Sequence, residues 1–158
     1  MEGAVEVAGA AVKWAKSVGL VIDESRIMDE ALTVDDCGDV YFVPAFGGLL
    51  SPHYRDDARG LLIGMSLNTT RGHLMRALIE SPCLRTAEVV EAMGQDAGQQ
   101  INSMVVDGGM TVNNLLLQTQ ADLIDAKIER KVEKEITGMG AAIAAGLKVG
   151  VWNSLEEV

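Results

Sequence analysis

Cysteine is scarce in this chain: Cys37 and Cys83 are the two in 158 residues. They lack the paired spacing of a zinc site or a disulfide framework, so free thiols and a reducing compartment are expected. Histidine is as sparse, and His53 and His73 have no cysteine nearby, so no bound metal is expected. Basic residues are outnumbered, 13 against 23 acidic, and the formal charge of -10 excludes non-specific attraction to nucleic acid or to an anionic membrane. A small ligand or a protein partner is the expected class. The longest weakly polar segment, Gly138 to Trp152, contains Lys148 and falls short of the roughly 20 residues that a spanning helix needs. The first residues lack the basic and apolar regions of a secretory signal. No repeat, low-complexity tract or linker interrupts the sequence, so one domain is expected.

The sequence is 48% hydrophobic with 4% aromatic residues and 17 glycines, which favours an ordered α/β protein built of close-packed small residues over disorder. Met1 to Val5 reads as a strand entering a helix whose apolar residues include Val7, Ala11, Val12 and Trp14. A polar helix over Glu24 to Leu32, a loop with Asp35, Asp36 and Gly38, and a buried strand over Val40 to Pro44 follow. Phe46 to Tyr54 is a loop, and Arg55 to Arg59 alternates charges as a solvated, locally paired turn would. Leu61 to Met65 forms a short strand, after which Thr69 or Thr70 caps a long helix to about Met93. Pro82 falls inside it, and a proline there costs roughly 3 kcal/mol. The spacing therefore predicts a kink or restart near Ser81, with Ser81 as a new N-cap and Pro82 as the first helical residue. Lys127 to Val132 is a charged strand or edge. Thr137 to Val149 is a last helix whose glycines and alanines suit close packing. Alternating strands and helices place the whole in the α/β class.

The stretch with the most chemical content is Val105-Val106-Asp107-Gly108-Gly109-Met110-Thr111-Val112-Asn113-Asn114. Met104 to Val106 is strand-like, and Val112, Leu115, Leu116, Thr119 and Leu123 recur at helical spacing. Adjacent glycines allow φ > 0 and a close approach to the backbone, and a helix start offers free N–H groups and the positive end of its dipole. Such a turn serves either as a plain connection or as a cradle for a phosphate or a polar ligand edge.

Taken together, these segments resemble the glycerol kinases of the carbohydrate-kinase group. Glu2-Gly3-Ala4-Val5, Ala8-Gly9-Ala10 and Trp14 are similar to that family's EG-x-x-x-x-AG-x-x-x-x-W segment. Tyr41 to Phe46 with Gly48, Pro52 and Tyr54 resembles its YFVPAF loop, and Asp57-Ala58-Arg59-Gly60 continues the agreement. Gly60, Gly64, His73, Ala77 and Glu80 follow the group's second signature. VDGG, Asn113, Gln118 and Ala121-Asp122 resemble the adenosine-side motif. Glu135, Thr137, Gly140-Ala141-Ala142, Ala145-Gly146 and Gly150 resemble the closing segment. Lys13 stands where the family often has glutamine or arginine, and its cation has a different geometry from either. Arg85 stands where a glutamine usually precedes the threonine, and Pro82 is also unusual.

The resemblance implies a partial actin-like ATPase (ribonuclease-H-like) domain with a mixed sheet and packed helices. Residues 1–158 would be the C-terminal nucleotide-binding domain, without its first strands and without the N-terminal domain. It implies ATP as cofactor, with Mg²⁺ bound through the nucleotide, and Gly9, Lys13, Gly109 and Asn113 as the residues that approach it. No catalytic residue and no metal ligand of the chain itself is implied. The glycerol ligands, the phosphate-gripping domain and the catalytic carboxylate belong to the part that is not represented, so this chain alone is expected to be inactive. The parent activity would be transfer of the γ-phosphate of ATP to glycerol in the cytoplasm, with a homo-oligomer possible. A non-catalytic nucleotide-binding or interaction module, motivated by Met1 at the start of the match, and another sugar kinase of the group are the alternatives. An incomplete domain would leave a sheet edge and apolar surface uncovered, giving marginal stability or self-association.

Overall fold

The computed structural model describes residues 3–131 and 136–158. Helix α1 (Gly9–Ser17) is followed by a 3₁₀ turn, Glu24–Arg26, that runs into α2 (Ile27–Ala31). Asp23 caps that turn by accepting the Ser25 N–H at 2.9 Å. Strands β1 (Tyr41–Val43) and β2 (Leu61–Ile63) pair antiparallel, with Tyr41 opposite Ile63 and Val43 opposite Leu61. The long helix α3 (Arg71–Ala97) is followed by β3 (Ser103–Val106), α4 (Asn114–Ile124), β4 (Lys127–Arg130) and α5 (Ile136–Val149). Strands β3 and β4 pair in parallel, so α4 is the crossover between them.

The core collects around α3, which packs against α2, α4 and β1. Met75 and Ile79 of α3 are fully buried with Val40, and Ala11 and Ala15 of α1, Ile27 and Ala31 of α2, and Phe42 of β1 close over them. Trp14 lies parallel to Phe42 at 5.7 Å and tilted against Phe46 at 4.9 Å. An aromatic contact of this kind contributes about 0.5–1.5 kcal/mol beyond burial. The stack fixes α1 over β1 and thereby sets where the face carrying Gly9 and Lys13 points.

The expected strand over Met1 to Val5 is corrected in its described part. Gly3 to Val7 takes no regular structure, because no described strand lies alongside to complete a ladder; Met1 and Glu2 lie outside the described residues. The strand expected over Val40 to Pro44 is shorter and exposes Tyr41, since β1 has a single partner and packs on the core through Phe42. The cap of α3 is Thr70, in a reciprocal pair with His73, whose ring Nδ1 accepts the Thr70 N–H at 2.9 Å.

The restart predicted at Ser81 does not occur: α3 is continuous from Arg71 to Ala97 with Pro82 inside. The conflict is resolved locally. Pro82 has no N–H for the carbonyl of Leu78, and the hydroxyl of the buried Ser81 donates to that carbonyl at 3.0 Å instead. In the last helix the close approach is confined to its end: a Cβ on Gly146 would lie 2.3 Å from the Trp152 ring, whereas one on Gly138 or Gly140 would meet nothing within 4 Å. Val132 and Glu135 lie outside the described residues.

Candidate adenine-nucleotide site

The site begins where β3 ends. Gly108 takes φ 95°, a region an L side chain rarely enters, and turns the chain out of the strand. The α-helix expected straight after the glycines is delayed. Gly109–Val112 forms a 3₁₀ turn held by the Thr111 and Asn113 N–H groups donating to Gly108 and Met110 carbonyls, both at 3.1 Å. The Thr111 hydroxyl also donates to the Gly108 carbonyl, at 2.7 Å. Only then does α4 start, with Asn113 as its N-cap: its side-chain oxygen accepts the Leu116 N–H at 3.1 Å. The Asn113 oxygen is therefore committed to the helix, and its amide NH₂ is the part left to meet a ligand.

Opposite lies the start of α1. A Cβ on Gly9 would sit 3.7 Å from the Met110 sulfur, so the first turn of α1 and the 3₁₀ turn face each other across the Met110 side chain. Gly109, beside Met110, has open space where a Cβ would be. Lys13 is one turn after Gly9 and so shares its face of α1, with its side chain exposed. The fold thus brings Gly9 of α1 against Met110, which lies between Gly109 and the Asn113 cap, from segments far apart in sequence. Two residues that the sequence reading passed over belong to the same place. Met110 fills the gap, and Arg130 at the end of β4 donates from Nη1 to the Thr111 carbonyl at 2.8 Å and to the Asn114 side-chain oxygen at 3.1 Å. Alternation along a strand gave Arg130 a face, but only the parallel register, Val106 opposite Arg130, sets it beside the turn.

Strong charge perturbation lies elsewhere. Arg55 grips Asp57 through two bonds of 2.7 and 2.8 Å, which holds the Asp57 carboxyl down to about 2. The pair is exposed and local, as expected of a solvated turn. Among the described residues no three His, Cys, Asp or Glu side chains gather as a metal site would require, and no helix is long and apolar enough to cross a membrane. Gly109 leaves open space beside the turn, and Gly9 meets the turn through the Met110 side chain.

Comparison with known proteins decides the family. The C-terminal domain of the FGGY family of carbohydrate kinases matches residues 1–149. The chain belongs to the FGGY family of carbohydrate kinases. Its fold is that of the family's C-terminal, actin-like ATPase domain. The chain is 47% identical over its whole length to the glycerol kinase of Saccharopolyspora erythraea, of which it covers 32%. It is 46% identical, over 96% of its length, to a probable glycerol kinase of Dictyostelium discoideum, covering 28% of that protein. A crystal structure of Plasmodium falciparum glycerol kinase with ADP superposes with a TM-score of 0.86 at 39% identity, covering 99% of this chain and 31% of that one. This FGGY chain thus spans about a third of the length of the relatives it matches.

Proposed function

We propose that this chain is the C-terminal nucleotide-binding domain of a cytoplasmic glycerol kinase and holds the adenine nucleotide between its two glycine turns. Gly9 and Lys13 form one wall, and Gly109 and Asn113 the other. The observation that carries the reading is the apposition of Gly9 and Met110, which brings the start of α1 against the 3₁₀ turn although the two are far apart in sequence. It is supported by identity to glycerol kinases along the whole chain and by the ADP-bound state of a structural relative.

Gly109 lacks a side chain where a base or ribose would approach the backbone, and the Asn113 amide offers two donors at the rim. Lys13 supplies a cation on the opposite wall. ATP, when bound, supplies the phosphoryl group, and Mg²⁺ comes with its phosphates. What this chain does is bind and orient. The glycerol hydroxyl and the carboxylate that takes its proton are handled by the part of a glycerol kinase outside these residues, and the chain by itself does not turn over.

Titration with a fluorescent ADP analogue, competed by ATP, tests the binding, and glycerol-dependent ADP release tests the turnover. Saturable binding that ATP reverses, without turnover, is expected. Failure of ATP to compete overturns the nucleotide site, and glycerol-dependent ADP release by this chain overturns its non-catalytic role.

A further inference from the structure

We propose that Arg130 is a positioning residue for the nucleotide. The proposal rests on the adenine-nucleotide reading of the crevice. One guanidinium nitrogen, Nη1, reaches the Thr111 carbonyl inside the 3₁₀ turn and the Asn114 side-chain oxygen on the first residue of α4. The two N–H bonds of that nitrogen thus join the turn carrying Gly109 to the helix that Asn113 caps. The backbone of Arg130 is at the same time in register with Val106, the last residue before the turn. Entry and exit of the Asp107 to Asn113 loop are therefore both referred to one residue, through its main chain on one side and its side chain on the other.

Among the described residues, Glu129, the adjacent carboxylate, is paired with Lys127 at 2.7 Å. Arginine suits the position because its planar group presents two N–H bonds from one nitrogen at a fixed angle; a lysine ammonium can meet one acceptor but does not hold that fork. A turn without this staple keeps its own backbone bonds but gains freedom to swing about Gly108, whose φ of 95° leaves it unrestrained by a side chain. Binding then has to order what Arg130 otherwise pre-orders.

The test uses the full 158-residue chain and three variants, Arg130→Met, Arg130→Lys and Asn114→Ala. Readouts are affinity for the fluorescent ADP analogue, amide hydrogen exchange over residues 108–116, and thermal unfolding. Arg130→Met is expected to weaken binding about fivefold to tenfold and to speed exchange in the turn, with a melting temperature within about 2 °C of the parent chain. Arg130→Lys should recover part of the affinity. Asn114→Ala, which removes one acceptor and keeps the charge, should weaken binding less, and adding it to Arg130→Met should cost nothing further. Unchanged affinity in Arg130→Met with faster exchange overturns the role and leaves a purely structural staple; unchanged exchange overturns the staple itself. If the parent chain does not bind the analogue, the nucleotide reading falls and this role with it, while exchange still reports whether Arg130 orders the turn.

Discussion

The Ser81 hydroxyl donates to the carbonyl of Leu78 at 3.0 Å, the very acceptor that Pro82 leaves without a backbone donor. A side chain thus completes the ladder of α3 at a point where the main chain cannot. Ser81→Ala should destabilise the chain by about 1–2 kcal/mol, the cost of a buried acceptor left unpaired. In a Pro82→Ala background, where residue 82 supplies its own N–H, the same change should cost about 1 kcal/mol less. Urea unfolding of the four proteins measures this; equal costs in both backgrounds would show that the serine serves another purpose.

At the crevice, size is the variable at Gly9. An alanine Cβ would stand 3.7 Å from the Met110 sulfur, ordinary contact distance, so Gly9→Ala should fold normally and bind the ADP analogue within about threefold of the parent. Gly9→Leu must displace Met110 and fill the gap, and affinity should fall at least about tenfold. Retained affinity in the leucine variant would remove Gly9 from the site.

Cys83 is buried, and its thiol is pushed from 9.0 up to about 12 by burial and by the Glu80 carboxylate. The neutral thiol is the form the fold keeps, so its contribution is whole below pH 9.0 and is lost as pH rises towards about 12. Between those values the stability of the parent chain should fall more steeply with pH than that of Cys83→Ala, as read by urea midpoints at each pH. Iodoacetamide at pH 8 should modify Cys37 well before Cys83. Parallel slopes for the two proteins would refute the assignment.

The outer face of the β1–β2 ribbon is apolar and open, with Tyr41, Leu61 and Ile63 at 47%, 49% and 54% exposure. Sedimentation velocity should show association that grows with concentration, and Ile63→Lys should shift the population towards monomer. A single monomeric boundary for the parent chain across the range would count against uncovered surface as a driver of association.

Element types were largely legible: α1, α4, β3 and β4 lie within a few residues of where the sequence set them. What escaped was decided by single atoms. Pro82 read as a break because propensity does not register a hydroxyl one residue earlier that replaces the missing donor. The 3₁₀ turn at Gly109–Val112 was invisible because Val112 and Leu115 satisfy a helical pattern whether or not the helix restarts between them. Of the proposed site, Gly9, Lys13, Gly109 and Asn113 come from family resemblance. Met110 and Arg130 do not, because one depends on which side chain crosses a gap and the other on a strand register. Gly3 to Val5 failed for the opposite reason: strand propensity requires a neighbour, and composition does not say whether one is present.

The parallel β3–α4–β4 unit carries one half of the crevice within a short span: Arg130 and Thr111 are 19 residues apart. Gly9 and Met110 are about a hundred apart, and closing that larger loop costs on the order of 1.5 kcal/mol more in chain entropy. The wall containing the glycine pair is therefore a local product of its own segment, and its meeting with α1 is the long-range event. A nucleotide that bridges the walls acts on that costlier closure, so binding should raise the cooperativity of unfolding by coupling two regions that differ in how far the chain must travel to join them.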